Sequence, residues 1–293
     1  MPPRWLSVSI VLFWLGTTGW LFYQDVWPLL LPGQAPPFTI DLEDEVQTRQ
    51  AHIHWSVLYN DRPYLRAETW VEPDPADDTF ALKATLGPLA AAPKGRDAEA
   101  EPFGGLVRLL RSTSTYRIAR NGDLRSLSVE FSVEARAGGL VASGDGDLDG
   151  EVKDGKFLSH LWLSSPVLPG GAVEKELDPV PVSAHGSVLS PLHPVNRIAG
   201  LRPGQTWRLP LVDPIKDALT ALAAGRPGEE IVLTAHVLPR TETLTWNGEP
   251  AECLVIDYQG DDVSARTWVQ VGTGLVLRQD SERDGERLAL VRE

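Results

Sequence analysis

The chain has 293 residues, 42% hydrophobic and 23% charged, which is enough apolar side chain to bury a domain-sized core and too much for a disordered segment. Its formal net charge is −13, so the basic footprint that phosphate recognition requires is missing and nucleic acid is excluded as an expected partner. A single cysteine, Cys253, permits neither an intrachain disulfide nor a cysteine-rich zinc site.

The first element is the uncharged run Trp5 to Tyr23, WLSVSIVLFWLGTTGWLFY. As a helix it spans roughly 28 Å, close to the ~30 Å hydrocarbon core of a bilayer. Arg4 precedes it, and Asp25, Asp41, Glu43, Asp44 and Glu45 follow before the next basic residue, Arg49. Positive-inside bias then places the N-terminus in the cytoplasm and the rest of the chain outside. Trp5, Trp20, Tyr23 and Trp27 fall near the two interfaces, where amphipathic rings settle. Leu21-Phe22-Tyr23 is bulky where signal cleavage needs small residues, which favours an uncleaved anchor. Residues 1–24 are therefore expected to be a cytoplasmic N-terminus and transmembrane helix of a single-pass inner-membrane protein. Its bulk would be periplasmic or otherwise extracytoplasmic.

Residues 25–50 follow as a spacer in which Pro28, Pro32, Pro36 and Pro37 forbid a continued helix. Residues 51–293 are expected to form a β-rich domain. Two soft stretches interrupt it, Gly87 to Gly105 and Pro166 to Pro181. A division into two lobes falls near 166–185. Elsewhere the dominant period is two. Ile53, Trp55, Val57 and Tyr59 alternate with His52, His54 and Ser56; Leu127, Val129, Phe131 and Val133 alternate with Ser126, Ser128, Glu130 and Ser132. Turn chemistry recurs at Asn60-Asp61-Arg62-Pro63, Asn121-Gly122, Lys153-Asp154-Gly155, Asn247-Gly248 and Asp284-Gly285, which predicts hairpins. From Glu230 onward the chain reads as a meander with strands over 230–245, 251–258, 262–271, 274–281 and 286–292.

One helix is expected over about 213–225. Asp213 caps it, Pro214 suits its first position and Gly225 its terminating residue, while Ile215, Leu219 and Leu222 share a face. The expected fold is thus mainly β: an N-terminal transmembrane helix, then curved antiparallel sheet packed on one short helix. Trp268 lies opposite in phase to Val263, Val269 and Val271, so its strand should be covered on both faces, by the helix or by a ligand.

Chemistry-bearing patterns are few. His52 and His54 share a strand face and begin a zinc geometry, but no second histidine cluster completes it. Asp145-Gly-Asp147-Leu-Asp149-Gly150 opens like a calcium loop, yet its twelfth position is Lys156 rather than glutamate, which leaves an acidic turn region. Cys253 sits in a strand-like run without the helix N-terminus or histidine that activates a thiolate, and reads as a packed thiol. His185, Ser190 and His193 invite a hydrolase triad, but no G-x-S-x-G elbow accompanies them. No catalytic residue, metal site or cofactor is assigned.

Leu201-Arg-Pro-Gly-Gln-Thr-Trp-Arg208, Val212-Asp-Pro214 and Thr267-Trp-Val-Gln-Val-Gly-Thr-Gly-Leu-Val-Leu-Arg278 carry a family texture. They resemble β-rich bacterial envelope domains of unknown function, some fused to transglutaminase-like modules and broadly similar to the LolA-type lipoprotein carrier. The resemblance covers about 188–293 and, more loosely, the hairpins from Ser114 onward. It implies a curved antiparallel sheet wrapped against a helix and no assigned activity. The chain departs from the fused versions in ending at Glu293, which leaves no Cys-His-Asp module.

Three readings of function follow. The first is a non-enzymatic, membrane-anchored structural or protein-interaction domain with a partner in the cell envelope. The second is a carrier of a lipid or acyl chain in a curved-sheet cavity lined by Trp207, Trp246, Trp268 and Leu277. The third is a hydrolase housed in the acidic loops. Neither ligand identity nor oligomeric state is legible.

Overall fold

The computed structural model describes residues 13–20, 52–88, 107–119, 123–137, 140–168, 170–182, 196–211, 231–261, 263–283 and 285–293. The expected spacer, the expected helix over 213–225, all of the soft stretch Gly87 to Gly105 beyond Pro88, and the His185, Ser190 and His193 positions lie outside these residues.

Residues 13–20 form a short helix, α1, whose Phe13, Trp14, Leu15 and Trp20 side chains are exposed. No helix among the described residues is long and apolar enough to cross a membrane, a statement that leaves strands aside. Of the transmembrane span expected over 5–23, only residues 13–20 are among those described.

Among the described residues, sixteen strands build one open, curved antiparallel sheet. In chain order they are β1 Ile53–Tyr59, β2 Arg62–Asp74, β3 Thr79–Pro88, β4 Val107–Ala119, β5 Leu124–Ala137, β6 Leu140–Lys153, β7 Lys156–Ser164 and β8 Ala172–Glu176. The second half comprises β9 Val180–Pro181, β10 Thr206–Leu211, β11 Ile231–Val237, β12 Glu242–Trp246, β13 Glu249–Gln259, β14 Val263–Gln270, β15 Val276–Arg283 and β16 Glu286–Arg292. The spatial order runs β10-β11-β13-β14-β15-β16-β1-β2-β3-β4-β5-β6-β7-β8. Most neighbours are hairpin partners, so most pairings are local in sequence. The long-range exception is β16 on β1, where Leu290 faces Val57 and Arg292 faces Trp55.

The tight turns follow their chemistry. Asn60-Asp61 and Asn247-Gly248 hold positive φ at both central residues, as a two-residue hairpin twisted with its strands requires. The expected strand 230–245 is broken instead. β11 pairs with β13 at Val237–Ile256, β12 pairs with it at Glu242–Cys253, and the register slips between them. Pro239 sits in the break, where it contributes no backbone donor to the ladder.

Alternation sorts the side chains onto two faces. One, called inner here, carries two continuous clusters. The first gathers Trp55, Val57, Leu65, Trp207, Leu233, Ile256, Val276 and Leu290 among others; the second gathers Phe80, Tyr116, Leu127, Phe131, Leu148, Phe157 and Leu161 among others. All fifteen are no more than 7% exposed, so the described inner face is a packed core. Burial of such side chains contributes roughly 1.5–3 kcal/mol each and outweighs the modest net gain of any one hydrogen bond. Trp55 has its indole N–H satisfied by Thr69 Oγ1 at 3.0 Å, so the largest core ring leaves no orphaned donor.

The acidic stretch 145–149 is a correction to the expected turn. It lies mid-strand in β6, paired to β5 on one side and β7 on the other. The physical reason is again period two. Gly146, Leu148 and Gly150 face inward while Asp145, Asp147 and Asp149 face out. A Cβ on Gly146 would lie 2.3 Å from Phe131 Cζ, and one on Gly150 2.2 Å from Phe157 Cζ. The glycines are sites where aromatic rings lie on bare backbone, not the bends of an ion-binding loop.

Candidate functional site on the outer face

The outer face is polar over most of its width. His52 and His54 do share this face; His52 Nδ1 lies 2.7 Å from Glu68 Oε1 and its ring stacks on Trp70 at 4.9 Å. A solvated strand surface accounts for both contacts. Among the described residues no group of three or more His, Cys, Asp or Glu is disposed to hold a metal.

The exception to outer-face polarity covers β12 to β15. There Ala251, Cys253, Val255, Trp268 and Leu277 form a third buried cluster, with Leu238, Leu244, Trp246 and Leu275 packed against it. A register shift between Trp268 and Val269 makes Leu277 the extra residue of a β-bulge, which joins it to this cluster beside Trp268. Strand β14 is therefore covered on both faces, with Val263 and Val269 in the inner core and Trp268 in the outer cluster. Trp268 donates its indole N–H to Glu242 Oε2 at 2.8 Å and carries the Arg278 guanidinium 5.5 Å from its ring centroid.

Of the four residues expected to line a ligand cavity, three meet here: Trp246, Trp268 and Leu277. Trp207 does not. It lies in the inner core, edge-on to Tyr258 at 6.4 Å. Trp268 and Leu277 are only 8% and 2% exposed, so they present packed surface rather than cavity wall. The Trp246 indole N–H is buried without a hydrogen-bond partner. Cys253 is fully buried, and burial, reinforced by the carboxylates of Glu242 and Glu252, pushes its thiol up to about 11. A thiol held that far from ionisation is a poor nucleophile at neutral pH.

Beyond this apolar end the same face turns polar and hollow. The β13–β16 registers set three rows across it: Val255, Trp268, Arg278 and Val291; then Asp257, Arg266, Asp280 and Ala289; then Gln259, Ser264, Glu282 and Arg287. A concavity of about 360 Å³ lies over Asp257, Arg266 and Asp280, over the row from Gln259 to Arg287, and against Trp268. Asp280 is its keystone. Buried to 7% exposure, it accepts Arg278 Nε at 2.6 Å and Nη2 at 2.9 Å, and Arg287 Nη2 at 2.5 Å. This bond to Asp280 is the main reason that the Arg287 guanidinium is held more firmly protonated than usual. Arg287 also reaches Asp61 at 3.4 Å, while its backbone N–H bonds Asn60 Oδ1 at 3.0 Å. The β1–β2 turn is thereby fastened to the rim. Arg266 donates through Nε to Asp257 Oδ1 at 2.9 Å, and Asp257 Oδ2 accepts Gln259 Nε2 at 3.0 Å.

Nothing in the sequence singled out this basin. Its signal was present as the alternating charges Arg278, Asp280 and Glu282 and the single charges Asp257 and Arg266, but which of them share a row depends on strand register.

No family model matches the chain, and a search of curated proteins finds no match. Among solved structures the chain is similar to a β-barrel-like protein of the domain of unknown function DUF1849 from Brucella abortus. The two are 10% identical with a TM-score of 0.40, over 83% of this chain and 95% of that one.

Proposed function

We propose that this chain is a non-enzymatic binding module of the cell envelope, tethered to the inner membrane by its N-terminal segment and working through the outer face of β13–β16. The single observation that carries the reading is the packing of the inner face. The described strands bring their apolar residues together there at a few per cent exposure, which leaves the outer face as the surface on which chemistry meets solvent. An envelope protein partner fits this reading. The buried, un-ionised Cys253 speaks against a thiol hydrolase.

A second reading, uptake of a lipid or acyl chain in a curved-sheet cavity, starts from the sequence resemblance alone. Its favouring observation is the meeting of Trp246, Trp268 and Leu277 in one cluster. Their burial favours the first reading.

The tether is supported by the uncharged run 5–23 and by four exposed apolar side chains on α1, Phe13, Trp14, Leu15 and Trp20. The experiment is a topology reporter fused after Glu293. A reporter that works only outside the cytoplasm should be active, and replacing Leu12 and Leu15 with Asp should detach or destroy the protein, at roughly 2.5–3.5 kcal/mol per charge near mid-membrane. Activity only of a cytoplasmic reporter would overturn the proposed address.

A further inference from the structure

Among the described residues, the hydrogen bonds of the outer basin leave open hydrogen-bonding groups on one side chain of each charge sign. Both oxygens of Asp280 are occupied by Arg278 and Arg287, and both oxygens of Asp257 by Arg266 and Gln259. Arg266 uses only Nε, so its two terminal nitrogens, on a side chain about half exposed, make no hydrogen bond with the described residues. Glu282 accepts no hydrogen bond from them either; Arg287 acts on it only through its charge. Arg266 faces Asp280 and Ser264 faces Glu282, so Arg266 and Glu282 stand diagonally across β14 and β15. Such diagonal neighbours stand roughly 7–8 Å apart, and both side chains line the same hollow.

Resting on the outer-face reading above, we propose that this basin binds the zwitterionic head of an amino acid or short peptide, with carboxylate on Arg266 and ammonium on Glu282. The planar fork of Arg266 matches a carboxylate bidentately. An ammonium matches the open carboxylate of Glu282, beside Ser264, which stands directly across from it and also lines the basin. A ligand carrying one charge only would meet its complement on one side and a like charge on the other. A simple anion would face Glu282, Asp257 and Asp280; a simple cation would face Arg266 and Arg287. Mixed charge discriminates against both, because an uncompensated like charge lowers affinity as surely as a matched one raises it. The edge of Trp268 closes the apolar end of the basin and is placed to meet a ligand side chain.

The test uses the full chain purified in detergent. Binding of free L-α-amino acids and of glycylglycine is followed by calorimetry, alongside N-acetylglycine, ethylamine and inorganic phosphate. At least one zwitterion should bind saturably, and its N-acetyl or amide derivative should bind about tenfold or more weakly, the loss expected for one charge-assisted contact. Arg266→Ala and Glu282→Gln should each cause a similar loss. Arg117→Ala, distant on β4, should not. Both basin side chains are exposed, and unchanged thermal unfolding of each variant establishes that the loss is one of binding. Equal binding of N-acetylglycine or phosphate would overturn the zwitterion in favour of a simple anion site. Silence from every zwitterion would overturn the proposal outright. The outer-face reading fails by a different result in the same preparation, saturable uptake of an apolar dye.

Discussion

Trp268 and Glu242 are joined by an indole-to-carboxylate hydrogen bond of 2.8 Å between β14 and β12, two strands that do not pair with each other. The bond spans β13 and closes the outer cluster over Cys253 and Val255. Trp268→Ala should cost roughly 3–5 kcal/mol, the range for a truncated buried aromatic. Glu242→Ala should cost about 1–2 kcal/mol, and the double variant less than the sum, since contacting residues are not additive. Urea unfolding of the four proteins measures all three quantities. Strict additivity would mean that the bond contributes nothing to the fold.

Trp246 provides the contrast. It packs on the same cluster, but its buried indole N–H has no acceptor. Trp246→Phe removes an unsatisfied donor while keeping most of the apolar contact, so it should be neutral or stabilise by up to about 1 kcal/mol. Trp268→Phe, which loses a made bond, should destabilise. Chemical denaturation of the two variants side by side checks the opposite signs.

Much of the strand pattern was legible because period-two alternation is a local signal. The meander from β13 to β16 falls within a few residues of its expected bounds, and the Asn60-Asp61 and Asn247-Gly248 turns are hairpins. The stretch 145–150 was not legible as strand, although the residues on either side of it were. Two of its three inward positions, Gly146 and Gly150, are glycines, and only the rings of Phe131 and Phe157 on neighbouring strands explain why a strand tolerates them. The break at Pro239 was readable from the proline alone, yet an unbroken strand was expected. The outer basin was out of reach for a different reason. Which charges stand in one row is fixed by cross-strand register, and the junction of β16 with β1 joins residues more than two hundred positions apart.

Gly150 tests the account of β6. A methyl group there meets the Phe157 ring well inside contact distance, so Gly150→Ala should destabilise by roughly 1–3 kcal/mol, as overpacking does. Combining it with Phe157→Leu should return part of that loss. Thermal unfolding decides, and a stabilised Gly150→Ala would mean that the ring does not lie on this backbone.

The acidic outer row of β6 gives a pH dependence. Burial first, then the hydrogen bond and charge of Asp149 and the charge of Glu130, push the Asp147 carboxyl up to about 6, with His160 opposing. The folded state thus holds this proton more tightly than the unfolded chain. The resulting stabilisation is complete below the ordinary value of 3.8 and is lost as pH rises through about 6. Asp147→Asn should raise the unfolding midpoint by about 2–4 °C at pH 8 and leave it nearly unchanged near pH 4. A larger gain at pH 4 than at pH 8 would reverse the assigned sign.

The packed inner face carries the functional reading, and uptake of an apolar dye tests it most directly. Phenylnaphthylamine fluoresces when it enters an apolar cavity, and the tryptophans Trp55 and Trp207 of the inner core are placed to transfer energy to it. Titrated into the full chain in detergent against a detergent blank, it should give no saturable signal and no quenching of tryptophan emission. Saturable binding near one dye per chain, lost when Leu148→Trp fills the inner face, would contradict the packed core and establish a carrier.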